Sequence, residues 1–300
     1  MASGGLWVLV TLMASSAQTL RNAMQRDLIG ALGAVGAAQV RFLFGLPFAV
    51  LFLAGMLAAT GLDAPPLKLA NLVWTGFGAF SQVIATAMML AAMRTRSFVV
   101  AVAYTKTEPA QVALFGLVAF NEKPTIALIA AIAFAMIGVG LMSVRSGKEL
   151  ASDWRSAAYG LASATFFAFA AIGFRAAVIG VETPSRPLAA AVILVVGLAI
   201  QSATLALYLG VFDRAGARAI LAAWRSSLFA GFMGALASQL WFIAFALTDA
   251  ARVRTLALIE VPLAQIVSLK LFREPPSLRD GLGMALILLA AGILVWAGGY

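Results

Sequence analysis

The sequence predicts an all-α integral membrane protein of ten transmembrane helices, arranged as two inverted five-helix repeats. Three observations carry that expectation: a composition that water could not solvate, apolar runs of membrane-crossing length along the whole chain, and a second half that repeats the first. The 300 residues are 63% hydrophobic and 11% charged, with a mean hydropathy of +0.99. A soluble domain is about 45–50% apolar and about 25% charged. About 20 helical residues, rising about 1.5 Å each, cross a hydrocarbon core of about 30 Å.

Apolar runs bounded by charges and by Pro or Gly breaks fall near 4–23, 35–60, 71–93, 97–120 and 126–144, then near 157–180, 187–211, 227–247, 253–272 and 281–298. The first starts at Gly4 with no basic residue before it, and Ser15, Ser16 and Gln18 interrupt it where a signal peptide would stay apolar, so it reads as a permanent span. Span 2 carries Arg41 in "VRFLFGLPF", and span 3 carries Ser81–Gln82. Span 4 holds Tyr104, Lys106, Glu108 and Gln111, with Pro109 breaking the helix behind Glu108. Span 5 has Gly138 and Gly140, small enough for close helix approach. After the polar linker "VRSGKELASDWRS", span 6 ends near Arg175 and span 7 follows. A second polar linker, "FDRAGARAILAAWRSS", leads to span 8 with Ser238–Gln239 and Trp241. Span 9 holds Glu260 near Pro262, and span 10 opens on a capping-box pattern of Ser277 and Asp280 and carries Gly292.

The first polar linker divides the chain into five spans and five spans, with repeats at 1–148 and 149–300. "TEPAQVALFGLVAFNEKPT" in span 4 aligns without a gap on "IEVPLAQIVSLKLFREPPS" in span 9, setting Glu108 on Glu260 and Glu122 on Glu274. The chain has six glutamates, and four of them fall into these two pairs, which makes duplication the economical explanation. An odd number of spans per half sends the second copy into the membrane from the opposite side. Inverted repeats are a common plan of secondary transporters, with the solute bound near the midplane.

A net charge of +9 would suggest nucleic acid in a soluble protein, but the basic residues stand singly or in pairs between apolar runs, as cytoplasmic retention of loops requires. Eleven of them lie in the odd-numbered linkers and five, Lys68, Lys123, Arg186, Arg252 and Arg254, in the even ones. That bias favours cytoplasmic odd linkers and both termini outside. With no Cys and no His, thiol nucleophiles, imidazole bases and the usual zinc ligands are absent, and neither a metal nor a cofactor is expected. No P-loop motif is present, which argues against direct drive by ATP.

A charge at mid-membrane costs at least about 2.5–3.5 kcal/mol, so ionisable residues inside spans are functional candidates. Tyr104, Glu108 and Gln111 share one helical face. Lys106 sits two residues from Glu108, about 200° around the helix, so each needs a partner elsewhere. Either these two make packing ion pairs with other helices, or at least one handles solute or protons. Glu260 is the equivalent carboxylate of the second half, close enough to a span end to reach the interface. Arg175 is expected to snorkel to the headgroups, whereas Arg41 either snorkels or holds an anionic group or a glutamate. Gln82, Gln239 and Trp241 either line a cavity or bond neighbouring helices.

Ten spans in two five-span halves, an Arg-Phe pair opening span 2, and a Pro within spans 4 and 9 followed by a Glu at the helix exit make this chain resemble the EamA-type members of the drug/metabolite transporter superfamily. The resemblance implies a cavity between the halves, lined mainly by spans 3, 4, 8 and 9, and cytoplasmic termini. It also implies alternating access, with efflux of amino acids, amines or related metabolites from a bacterial inner membrane by a monomer or homodimer. "YTKTEP" departs from the small apolar residues usual before the span 4 Pro, and points to a charged or zwitterionic solute. The competing reading is a membrane-embedded enzyme acting on a lipid or isoprenoid. Such enzymes usually need His or paired acids of the Asp-x-x-Asp type, which this chain lacks.

Overall fold

The structure, a computed structural model, describes residues 5–95, 105–143, 154–263, 265 and 277–297. Every regular element among the described residues is helical: α1 (Leu6–Leu43), α2 (Leu46–Thr60), α3 (Leu69–Thr95), α4 (Glu108–Phe120), α5 (Ile126–Ser143), α6 (Trp154–Ile179), α7 (Arg186–Phe212), α8 (Arg214–Ala222), α9 (Trp224–Leu247), α10 (Ala250–Leu256) and α11 (Leu278–Ala297), with a 3₁₀ turn at Ala257–Ile259. Among the described residues six segments are long and apolar enough to cross a membrane: Val35–Thr60, Leu69–Met89, Ala158–Ile179, Arg186–Phe212, Ser227–Leu247 and Leu278–Ala297. They match expected spans 2, 3, 6, 7, 8 and 10, and make the chain a multi-pass helical membrane protein. Shorter apolar helices stand where spans 4 and 5 are expected. Span 1 falls in the first half of α1, where Thr11, Ser15, Ser16, Gln18 and Thr19 dilute the apolar run.

The chain packs as two compact units that do not follow the sequence halves. The first unites Met1–Leu12, Ile84–Ile172 and Thr248–Tyr300, and the second unites Met13–Val83 and Gly173–Leu247. Each unit draws on both halves of the sequence.

In the first unit α5 packs along α11 and α10 packs on α4. A Cβ at Gly138 would lie 2.6 Å from the Gly283 carbonyl oxygen, so the absence of a side chain lets α5 and α11 touch backbone to backbone. Among the described residues Gly140 and Gly292 face open space instead, and Gly138 is the one of the three that makes a close approach. The Ser277–Asp280 box forms as the pattern predicts: the Ser277 amide donates to the Asp280 carboxylate at 2.8 Å, and the Asp280 amide donates to the Ser277 hydroxyl at 3.3 Å.

In the second unit α7, buried from Leu188 through Leu194, packs against α2 and α9. Gly173 lies against Gly78, where a Cβ would come within 2.9 Å of the facing backbone. The α1–α2 corner turns at Gly45, whose Cβ would fall 2.5 Å from the Arg41 carbonyl oxygen, ahead of Pro47 in the first turn of α2. The linker after span 7 is not irregular. Asp213 accepts from the Gly216 amide at 2.8 Å and caps the nine-residue helix α8, which seats Ile220 in a cluster with Leu28, Val40 and Leu209.

Candidate functional site

The ionisable candidates of spans 4 and 9 come together in the first unit. Lys106 and Thr107 form a turn, and α4 begins at Glu108 with Pro109 in its first turn, where a missing amide proton leaves no intrahelical bond unmade. The expected break of span 4 is thus a helix start that carries Glu108 at its edge. In the second half α10 tightens into the 3₁₀ turn Ala257–Ile259, and helix resumes at Glu260. A 3₁₀ stretch inside a helix commonly marks a functional hinge. Glu108 and Glu260 therefore both follow directly on a departure from regular α-helix.

Each glutamate is met by a cation from the other half. Lys106 Nζ lies 3.3 Å from Glu260 Oε2, with side-chain exposures of 22% and 7%. Arg254 Nε lies 3.0 Å from Glu108 Oε1, with exposures of 11% and 16%. The Glu108 carboxylate is also within electrostatic range of Lys106 and Glu260. Two acids and two bases, all at least three-quarters buried, form one charge-balanced cluster. Glu260 is buried inside the unit rather than reaching an interface, because Lys106 holds it there.

Arg254 is the member that sequence reading missed. It was counted as a linker charge at the edge of span 9, yet it lies in α10 and points at Glu108. The available signal was its place six residues ahead of Glu260 on the same apolar stretch. Removing it from the even linkers leaves eleven basic residues against 5 − 1 = 4. Gln111 donates to Thr107 Oγ1 at 3.2 Å, one turn away, and Tyr104 lies outside the described residues.

The remaining candidates lie in the second unit, and their polar groups bond neighbouring helices. Gln82 Oε1 accepts from Gln201 Nε2 at 2.7 Å, Gln239 Nε2 donates to the Pro187 carbonyl at 3.0 Å, and Trp241 Nε1 donates to Gln18 Oε1 at 3.0 Å. Arg175 does not snorkel: its Nη1 donates to the Phe245 carbonyl at 2.5 Å. Arg41 is 7% exposed, packs its stem on Gly234 and sets its guanidinium 5.1 Å from the Phe42 ring centre. Arg21 is 5% exposed and packs on the same glycine.

No family model matches this chain, and no curated protein matches it. Among solved structures 28 chains match its fold. One of them, described only as the crystal structure of a protein, is 15% identical with a TM-score of 0.71, over 100% of this chain and 98% of that one. At that identity the likeness concerns the fold alone.

Proposed function

We propose that this chain is a secondary active transporter of a small polar metabolite such as an amino acid or amine, working by alternating access as an exporter in a bacterial inner membrane. On this reading it has ten spans in two inverted five-helix repeats of the EamA type. The observation that carries it is the pair of crossed ion pairs, Lys106 with Glu260 and Arg254 with Glu108, each set at a break in helical geometry. Transporters place solute sites at discontinuous helices near the repeat interface. Buried charges that only fixed packing would be a costly device, since well-packed apolar side chains do the same work at equal or lower free energy.

The cluster's neutrality bears on the solute. A zwitterion can exchange with it charge for charge, its ammonium taking a glutamate from a cation and its carboxylate taking the cation so released. Neither step leaves a buried charge unmatched. A carboxylate alone would need an accompanying proton, and an amine would have to enter without its own, for the cluster to stay balanced. The test is counterflow into proteoliposomes holding the purified full-length chain, with radiolabelled amino acids, amines, sugars and carboxylates. Accumulation of a zwitterion or amine supports the reading; flux of none, from protein that is folded and incorporated, rejects it.

A further inference from the structure

The surface of the second unit around α8 has properties that transport does not require. The end of α7 is apolar and outward-facing, with Leu207 71%, Val211 60% and Phe212 74% exposed, as contact with acyl chains requires. Directly beyond Phe212 the chain turns at Asp213 into α8, a short helix with two unlike faces. Ile220, 1% exposed, and Ala217 lie on the unit's core. On the outer side Arg214, Arg218 and Leu221 follow at spacings of four and three, so they share one face, and all three are exposed. Trp224 is 47% exposed just after α8, with the Arg225 guanidinium 5.3 Å from its ring centre. Exposed apolar residues, exposed arginines and an exposed tryptophan thus gather around one short helix, the mix of groups that a lipid's acyl chains, carbonyl region and headgroup call for.

From this grouping we infer that α8 and the start of α9 form a binding site for an anionic phospholipid headgroup, held by Arg214, Arg218 and Arg225. Among the described residues no carboxylate lies within 4 Å of any of the three guanidiniums, and the nearby acid, Asp213, is engaged with the Gly216 amide. Arg214 Nε donates to the Gly210 carbonyl at 3.0 Å, which orients the group and leaves its terminal nitrogens outward. Planar guanidiniums suit bidentate contact with phosphate oxygens. The site is independent of the proposed transport.

The test is retention of phosphatidylglycerol by the full-length protein in neutral detergent, read by native mass spectrometry over a lipid titration, with phosphatidylcholine as the zwitterionic comparison. Each arginine near an anionic surface contributes about 1 kcal/mol, or about fivefold. The triple change Arg214→Gln, Arg218→Gln and Arg225→Gln is expected to weaken phosphatidylglycerol binding at least about tenfold. The triple change to Lys, which keeps the charge, should stay within a few-fold of the native protein. Millimolar inorganic phosphate should fail to displace the lipid, because the exposed apolar residues hold its chains. Equal retention of the two lipids by the native protein, or undiminished phosphatidylglycerol binding by the Gln variant, overturns the inference. So does a shift in oligomeric state as the only effect of the Gln variant, which would make the surface a contact between copies. Should the triple Gln variant not fold, Arg218→Gln alone is read against the same criteria with an expected loss of about fivefold.

Discussion

Replacing Lys106 with Met removes the cation that faces Glu260, a carboxylate 7% exposed at 3.3 Å from it. At that distance the pair's attraction is about 5 kcal/mol for an effective dielectric constant of about 20, and removing one member of a buried pair costs about 3–5 kcal/mol. Lys106 keeps 22% of its side chain exposed, so some solvent already screens the pair and the lower end applies. The expected loss is about 3 kcal/mol, roughly 150-fold in the ratio of folded to unfolded protein. Lys106→Met combined with Glu260→Gln leaves no unmatched buried charge, since Arg254 and Glu108 still pair, and should recover all but about 1 kcal/mol of that loss. Unfolding in mixed detergent micelles measures stability, and proteoliposome counterflow measures transport, for the native protein and both variants. If the pair binds solute, transport stays abolished in the double variant while stability returns. Recovery of both together would refute the reasoning, because it would make Lys106 and Glu260 a packing device.

Two further outcomes follow from the same geometry. Glu108→Gln removes the charge that Arg254 meets at 3.0 Å, whereas the half-buried Glu122 lies past the end of α4; counterflow should fall at least about tenfold for the first and little for Glu122→Gln, and equal rates would remove Glu108 from the site. Gly138→Ala drives a methyl toward the Gly283 carbonyl at 2.6 Å and should cost about 1–3 kcal/mol, while Gly292→Ala, facing open space within a helix, should be neutral or stabilising by about 0.5–1 kcal/mol, both read as unfolding midpoints in detergent.

Several parts of this molecule are legible in the sequence because they depend on local chemistry. Hydropathy locates the six long spans, since length and apolarity suffice to set a membrane helix. Asp280 and Ser277 announce their capping box at a fixed spacing, and Pro109 announces a change of helical state at Glu108. Arg254 was hidden because burial is a property of packing: six residues from Glu260, at the edge of an apolar run, it looks like a loop charge until α10 is laid against α4. Arg175 was misjudged for the same reason, as an arginine near a helix end snorkels only where no carbonyl such as that of Phe245 lies in reach. Gly138 and Gly292 look alike in sequence and differ in space, since the partner helix decides which glycine is touched. The reversal of helical character at α8 was masked by its charge, because nine residues with two arginines read as a linker until Ile220 is seen in the core.

The claim on which the rest depends is that two five-span halves enter the membrane in opposite senses, so that Glu108 and Glu260 are equivalent sites met by each other's cations. The native chain has no cysteine, so single cysteines at Ser3, Ser146, Arg218 and Gly299 can be labelled with a membrane-impermeant maleimide from either side of oriented vesicles without background. Ten spans require the positions at Ser3 and Gly299 to label from one face and those at Ser146 and Arg218 from the other. Labelling of Ser3 and Gly299 from opposite faces would contradict both the ten-span count and the inverted repeat built on it.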